Sequence, residues 1–324
     1  MDQPTNSFKQ FHYGLRPSKQ VERKIIIEVL HRLGRASFDV SEYTYLGFGS
    51  VYFVDFIMFH KYLFMQKMVC VEWGEIPKRM KFNKPFKFIE LKMMKMSEYI
   101  SRIKAKAKYL VWLDYDYALD PQNLGDIDGF ITALAPESIF LITLDARPKL
   151  PKEEKYDTSE MTKEKRLEFT LDIYNEWFRK YLGRDVTLDD IDARDCAPLF
   201  YEATIERIKQ SLATRPGLEF IQLFHFLYAD GAPMLTIGGM LGTPADRERL
   251  ERKNILSHPF ARTDEKYLEI SLPPLTVREK HWLDSRLDKN LHLDKLAFEL
   301  DEEDLLDNYR AFYKEYPTYA EAML

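Results

Sequence analysis

The residues best suited to chemistry sit where apolar runs end. In Tyr43-Thr-Tyr-Leu-Gly-Phe-Gly-Ser-Val-Tyr-Phe-Val-Asp55 a β-prone run reaches Gly47, turns through Gly47-Phe48-Gly49-Ser50, and enters an apolar segment of helical character from Phe53 to Leu63. A strand that meets a glycine turn and then a helix gathers free backbone N–H groups and a positive helix end at one spot. Glycine lets that backbone approach a ligand closely; without a ligand the same pattern is a tight turn. A second run, Met68-Val-Cys-Val-Glu72, ends in a carboxylate 23 residues beyond Gly49. In a βαβ nucleotide-binding unit an acid about 20 residues on accepts hydrogen bonds from both ribose hydroxyls, with two acceptor oxygens in one plane. Trp73 follows directly and could cover an adenine ring. The alternative for Glu72 is a surface or ion-paired side chain.

The clearest strand, Tyr109-Leu-Val-Trp-Leu-Asp-Tyr-Asp116, is continuously apolar, as in a parallel sheet buried on both faces. It closes in Asp114-Tyr115-Asp116-Tyr117. Acids beside tyrosines at a strand's carboxyl end could deprotonate or orient a nucleophile, or bind a metal. Arg147, after the strand Ser138–Asp145, could hold an anionic substrate or pair with a neighbouring acid. Arg16, Lys19 and Arg23 could meet a phosphate or carboxylate at the mouth of the glycine turn, or form a solvated helix face. His225 lies in an apolar alternation and reads as buried and hydrogen-bonded rather than catalytic.

These residues need elements to carry them. Phe8 to Pro17 is aromatic and turn-prone; Ser18 then reads as the N-cap of a helix to about Leu33, with Val21, Ile25, Val29 and Leu33 on one stripe. Phe86–Glu90 is expected as a third strand and Leu124–Leu134 as a helix. Strand and helix alternate five times, which predicts an α/β fold with a doubly wound, mostly parallel sheet. Leu218–Tyr228 and Pro233–Leu241, joined through Asp230-Gly231, read as an antiparallel hairpin. The expected organisation is an N-terminal helical cap (1–40), a core (41–148 and 196–245), a charged helical insertion or lid (149–195) and a C-terminal helical extension (246–324). The extension holds the acidic stretch Asp301–Asp304 and an aromatic end from Tyr309 to Tyr319.

Bulk properties narrow the classes. At 324 residues, 45% hydrophobic and 31% charged, the chain is an ordinary globular protein. No apolar run reaches the roughly 18 residues of a membrane helix, and the N-terminus lacks a secretory pattern. Cys70 and Cys196 stand alone, which argues against a zinc site or disulfide framework and for the cytoplasm; no metal is expected. The net charge of −5 is uneven: residues 1–110 carry 20 Lys and Arg against 10 Asp and Glu, and the remainder 27 against 42. The stretch 75–108 is the most basic, with Lys78, Arg79 and Lys84 interleaved with Phe82, Phe86 and Phe88. Lysines meet phosphates and rings stack on bases, so a nucleic acid or phosphorylated partner fits; an amphipathic surface over a βα unit fits as well.

Together, strand–Gly47-Phe48-Gly49–helix, Glu72 ending strand two, Asp114 ending strand four, and a late hairpin resemble the Rossmann-like, class I S-adenosylmethionine-dependent methyltransferases. The resemblance covers about residues 40–148 and 218–241. It implies a seven-stranded sheet whose last strand is inserted antiparallel, and S-adenosylmethionine as cofactor. Gly47, Phe48, Gly49 and Ser50 would face the methionine and ribose part, Glu72 and Trp73 the ribose and adenine. Asp114, with Tyr115 and Asp116, would sit beside the transferred methyl. Val51 replaces the usual third glycine, and Tyr45 stands where an acid often precedes the turn. There is no Asn-Pro-Pro-Tyr, Asp-Pro-Pro-Tyr or Pro-Cys nucleophile, so an oxygen acceptor fits best. The alternatives are a cofactor-independent hydrolase of nucleic-acid bases, of DNA glycosylase type, and a non-catalytic nucleotide-binding sensor. Any of the three would suit bacterial genome or antiviral defence.

Overall fold

The apolar runs become the central strands of one sheet in a computed structural model that describes residues 16–74, 77–150, 154–191, 195–287, 291–300 and 303–317. The aromatic stretch Phe8–Gly14, Asp301, Glu302 and Tyr319 lie outside the described residues. The strands are β1 (Thr44–Gly47), β2 (Lys67–Glu72), β3 (Ile89–Met93), β4 (Tyr109–Asp114), β5 (Ile139–Asp145), β6 (Glu219–Ala229), β7 (Pro233–Gly242) and β8 (Leu268–Ile270). Their order is β3-β2-β1-β4-β5-β7-β6-β8. β7 runs antiparallel between β5 and β6 and every other pairing is parallel, so the sheet is doubly wound with an antiparallel hairpin, as expected. It carries eight strands rather than seven. The extra one, β8, comes from a C-terminal stretch expected to be helical; three residues are too short for a periodicity signal.

The helices are α1 (Pro17–Leu33), α2 (Val54–Leu63), α3 (Pro77–Asn83), α4 (Met96–Tyr99), α5 (Pro121–Ala133), α6 (Lys163–Leu182), α7 (Ala197–Leu212), α8 (Pro244–Arg252), α9 (Val277–Asp284) and α10 (Glu303–Phe312). Side chains alternate across each strand, so β4 sends Leu110 and Trp112 to one face and Val111 and Leu113 to the other. α1 and α2 cover the first face, α5 and α7 the second. α6 brings Tyr174, Trp177 and Phe178 into the second layer. α9 and α10 build a smaller cluster around Leu283, Leu306 and Tyr309, while Phe312 of α10 reaches the main core.

α1 is a core helix. Val21, Ile25, Ile26, Val29, Leu30 and Leu33 are all fully buried, each worth roughly 1.5–3 kcal/mol of transfer free energy. Its start differs from expectation. Pro17 at the first turn fixes the entry, Arg16 takes the N-cap position, and no side chain of α1 caps it. The acceptor comes from the β6–β7 turn: Asp230 Oδ1 accepts Ser18 N–H at 3.0 Å and Oδ2 accepts Lys19 N–H at 2.9 Å. This pins the start of α1 to the carboxyl end of the sheet. Among the described residues, no helix is long and apolar enough to cross a membrane.

Candidate functional site

β1 delivers its backbone to the glycine turn against crowded neighbours. A Cβ on Gly47 would lie 2.5 Å from Tyr45 Oη and 3.1 Å from the Trp112 carbonyl; one on Gly49 would lie 2.6 Å from Cys70 Sγ and 3.0 Å from the Phe53 ring. The glycines let the loop settle onto the strand ends. Neither has positive φ; the left-handed positions are Ser50 (φ 45°) and Phe53 (φ 50°), strained for side-chain-bearing residues. Glu72 restrains this loop. Its Oε1 accepts Gly49 N–H at 2.9 Å and Ser50 N–H at 2.8 Å. Among the described residues Oε2 has no hydrogen-bond partner. Burial raises the Glu72 pKa against the lowering pull of those two amides, and the negative charge of Asp116 raises it further.

Tyr45, in the place of the acid that often precedes such turns, packs edge-on against Phe56 and Phe59, both at 4.7 Å. It faces the core, where a carboxylate would be stranded. Asp55 supplies the acid at the start of α2, and Arg23 Nε reaches its Oδ1 at 2.6 Å in a buried pair. Burial opposes the charge on Arg23, but Asp55 more than offsets it and raises the pKa.

The end of β4 splits by strand alternation. Asp114 projects toward α1, and its Oδ1 takes Lys19 Nζ at 2.8 Å. The Lys19 ammonium also contacts Glu22 Oε2 at 2.8 Å and lies 4.5 Å from the Trp112 ring centroid. Lys19 is 1% exposed, so it is not the solvated anion contact that helix position alone suggested. Arg23 is equally buried and already paired. Tyr115 projects the other way: its hydroxyl donates to Asp126 Oδ2 of α5 at 2.5 Å, and burial holds its pKa well above the usual value. It is a wall residue, with Phe48 and Tyr117 against it at 5.3 and 5.0 Å. Asp116 is exposed.

The remaining candidates divide. Arg147 grips Asp145 through Nε at 2.9 Å and Nη2 at 2.6 Å, with Lys149 on the same carboxylate at 3.0 Å, so the acid pair is realised. Burial would raise the Asp145 pKa, but those contacts hold it below the usual range. Lys84 braces the chain before β3, Nζ donating to the Ile89 carbonyl at 2.8 Å. Lys78 and Arg79 are exposed on α3, and Trp73 is 55% exposed with Lys95 over its ring at 5.3 Å. Lys95 lies within the basic stretch 75–108, but its contact with Trp73 was not foreseen, because β3 runs to Met93, three residues beyond the expected end, and carries Lys95 up beside Trp73. The alternation of Ile89 and Leu91 inward against exposed Glu90 was the available signal. His225 is buried as expected, but among the described residues neither ring nitrogen meets a partner with hydrogen-bond geometry. Its ring stacks on Tyr201 at 4.1 Å.

Glu72 with one acceptor oxygen open, the glycine loop beneath it and Trp73 at the rim fit a nucleoside carrying a vicinal diol. Asp114 Oδ2, likewise without a partner among the described residues, lies at the tip of the next strand but one. The site is therefore suited to hold an adenosyl group and to accept a proton nearby. Among the described residues no cluster of three or more His, Cys, Asp or Glu could hold a metal ion.

Loose likenesses exist among solved structures. The M. jannaschii TYW2 structure in complex with AdoMet shares 14% identity over 66% of this chain and 75% of that one, with a TM-score of 0.34. Human N-acetylserotonin methyltransferase in complex with SAM shares 14% over 69% and 56%, at 0.34. The N-methyltransferase NodS from Bradyrhizobium japonicum WM9 shares 11% over 68% and 97%, also at 0.34. The chain thus spans little more than half the length of the human protein. No curated protein matches the sequence. The model of the family described as "Putative O-methyltransferase" matches residues 11–324, nearly the whole chain, and the chain belongs to this family.

Proposed function

We propose that the protein methylates an oxygen of an anionic acceptor, a nucleic acid fitting best, with Glu72 holding the cofactor's ribose and Asp114 acting at the acceptor. The observation that carries this reading is the pair of half-engaged carboxylates at the tips of β2 and β4: Glu72 gives Oε1 to the loop amides, Asp114 gives Oδ1 to Lys19, and each keeps one oxygen available. When bound, S-adenosylmethionine would supply an electrophilic methyl group to the acceptor oxygen, the carbon–sulfur electron pair leaving with sulfur. Asp114 Oδ2 takes the proton from the acceptor hydroxyl. The glycine loop and Glu72 fix position, which is where most of the rate of such an in-line transfer originates.

Support for a nucleic-acid acceptor comes from the sheet edge. Residues 76–89 hold five Lys and Arg and no acid. Lys78, Lys81 and Lys87 are exposed, Phe82 is 89% exposed, and Phe86 and Phe88 stack in parallel at 5.1 Å. Cations beside the exposed Phe82 ring suit a single strand. The test is calorimetry with S-adenosylmethionine, followed by transfer of labelled methyl to bulk RNA, DNA and phosphorylated small molecules. The expected result is cofactor binding, label on an oxygen of one of these acceptors, and loss of transfer in Asp114→Asn with cofactor affinity within threefold. Absence of cofactor binding by the wild type refutes the reading. Binding without transfer to any acceptor would leave a sensor in its place.

A further inference from the structure

Beneath the site lies a buried polar chain that methyl transfer as described above does not use. Trp112 Nε1, a donor only, donates to Thr143 Oγ1 at 2.9 Å. Thr143 and Thr236 hydroxyls are 2.7 Å apart, and Thr236 in turn donates to Glu22 Oε1. Each hydroxyl has one proton, so with Glu22 ionised beside Lys19 the donors run from Trp112 to Thr143, Thr143 to Thr236 and Thr236 to Glu22. The chain ends on a carboxylate that must accept there. Glu22 presents its other oxygen to Lys19, and Lys19 passes the contact to Asp114 Oδ1. α1 and β4 therefore meet this one ammonium group directly, and β5 and β7 are tied to it through Glu22. Asp230 fixes that group's main chain from the hairpin turn.

We infer that Lys19 is a positioning residue for the transfer reaction, locking the Asp114 carboxylate by Oδ1 so that Oδ2 alone is presented to the acceptor. The inference rests on the proposed role of Asp114. The physical case is that an aspartate at a strand tip, with its side chain 20% exposed, would otherwise sample several rotamers. A buried cation held from below by Glu22 and flanked by the Trp112 face removes that freedom. A surface lysine could not, because its own rotamers would move with it. Simple stabilisation is a poor explanation for the arrangement, since buried ion pairs contribute little net stability relative to apolar replacements.

The test uses the full chain. Lys19→Met removes the contact, and Lys19→Met/Glu22→Gln does so without leaving a buried carboxylate unpaired, which covers failure of the single variant to fold. Crystal structures of the variants are compared with that of the wild type, together with calorimetric affinity for S-adenosylmethionine and labelled-methyl transfer to bulk RNA. The expected result is an Asp114 carboxylate that rotates or splits into two conformers on an unchanged β4. Cofactor affinity stays within threefold, and where the wild type labels RNA, kcat falls at least tenfold at an unchanged KM for cofactor. An Asp114 carboxylate that keeps its wild-type position in the double variant overturns the inference, as does undiminished transfer. A wild type that fails to bind cofactor refutes methyl transfer instead, and the carboxylate's position still decides whether Lys19 orients it.

Discussion

Replacing Glu72 by alanine should weaken S-adenosylmethionine binding about 100-fold. In the proposed role Oε2 accepts from the ribose diol, while Oε1 holds the Gly49 and Ser50 amides at 2.9 and 2.8 Å. Hydrogen bonds to a charged acceptor are worth roughly 1.5–3 kcal/mol each. Two contacts to the diol at the low end of that range give about 3 kcal/mol, or roughly 150-fold. Release of the loop adds to the loss, because Ser50 and Phe53 are held at positive φ and relax once the clamp is gone. Relief of the burial cost that raises the Glu72 pKa works the other way, and we set the net at about 100-fold. Glu72→Gln keeps an acceptor for the loop but turns a donor toward the ribose, so it should cost about tenfold. Since the Glu72 pKa lies above 4.5 in the folded protein, wild-type affinity should fall as pH drops through that raised value, while the Gln variant stays flat. Calorimetry between pH 5 and 8, with circular dichroism to confirm folding, reads all three. Alanine binding within threefold of wild type would remove the ribose role from Glu72.

Gly49→Ala should destabilise by about 1–3 kcal/mol through overpacking against Cys70 and Phe53, and Cys70→Ala in the same chain should recover part of the loss in thermal melts. Asp230→Ala removes both acceptors at the start of α1 and should cost about 1–2 kcal/mol, lowering Tm by several degrees, with Asp230→Asn intermediate. Burial pushes the His225 pKa down to about 4, against an opposing contribution from Asp264. The folded state thus favours the neutral ring: its contribution is intact above the unfolded value of 6.5 and is lost as pH falls from there toward 4, by up to about 3 kcal/mol. His225→Phe should flatten that acid limb in denaturant titrations; an unchanged limb would assign the acid lability to other groups.

Much of the fold was legible because its signals are local. Continuous apolar runs announced β4 and β5, Asp230-Gly231 the hairpin, and the helical stripe α1, since each reflects a period or turn preference within a few residues. The strand-tip positions of Gly47, Glu72 and Asp114 followed from the same rule, because parallel strands end on one side of the sheet. The sequence by itself therefore determined seven of the eight strands and the set of residues at the sheet's carboxyl edge. Tertiary structure decided what those residues do to one another. Strand alternation sent Asp114 to α1 and Tyr115 to α5, a difference of one residue that separates a cleft carboxylate from a wall. Lys19 looked like any basic residue on a helix flank until the hairpin, 211 residues away, fixed its main chain and folding stripped its solvent. Charge in a sequence carries no information about dielectric or partner, and both arise only when distant elements pack.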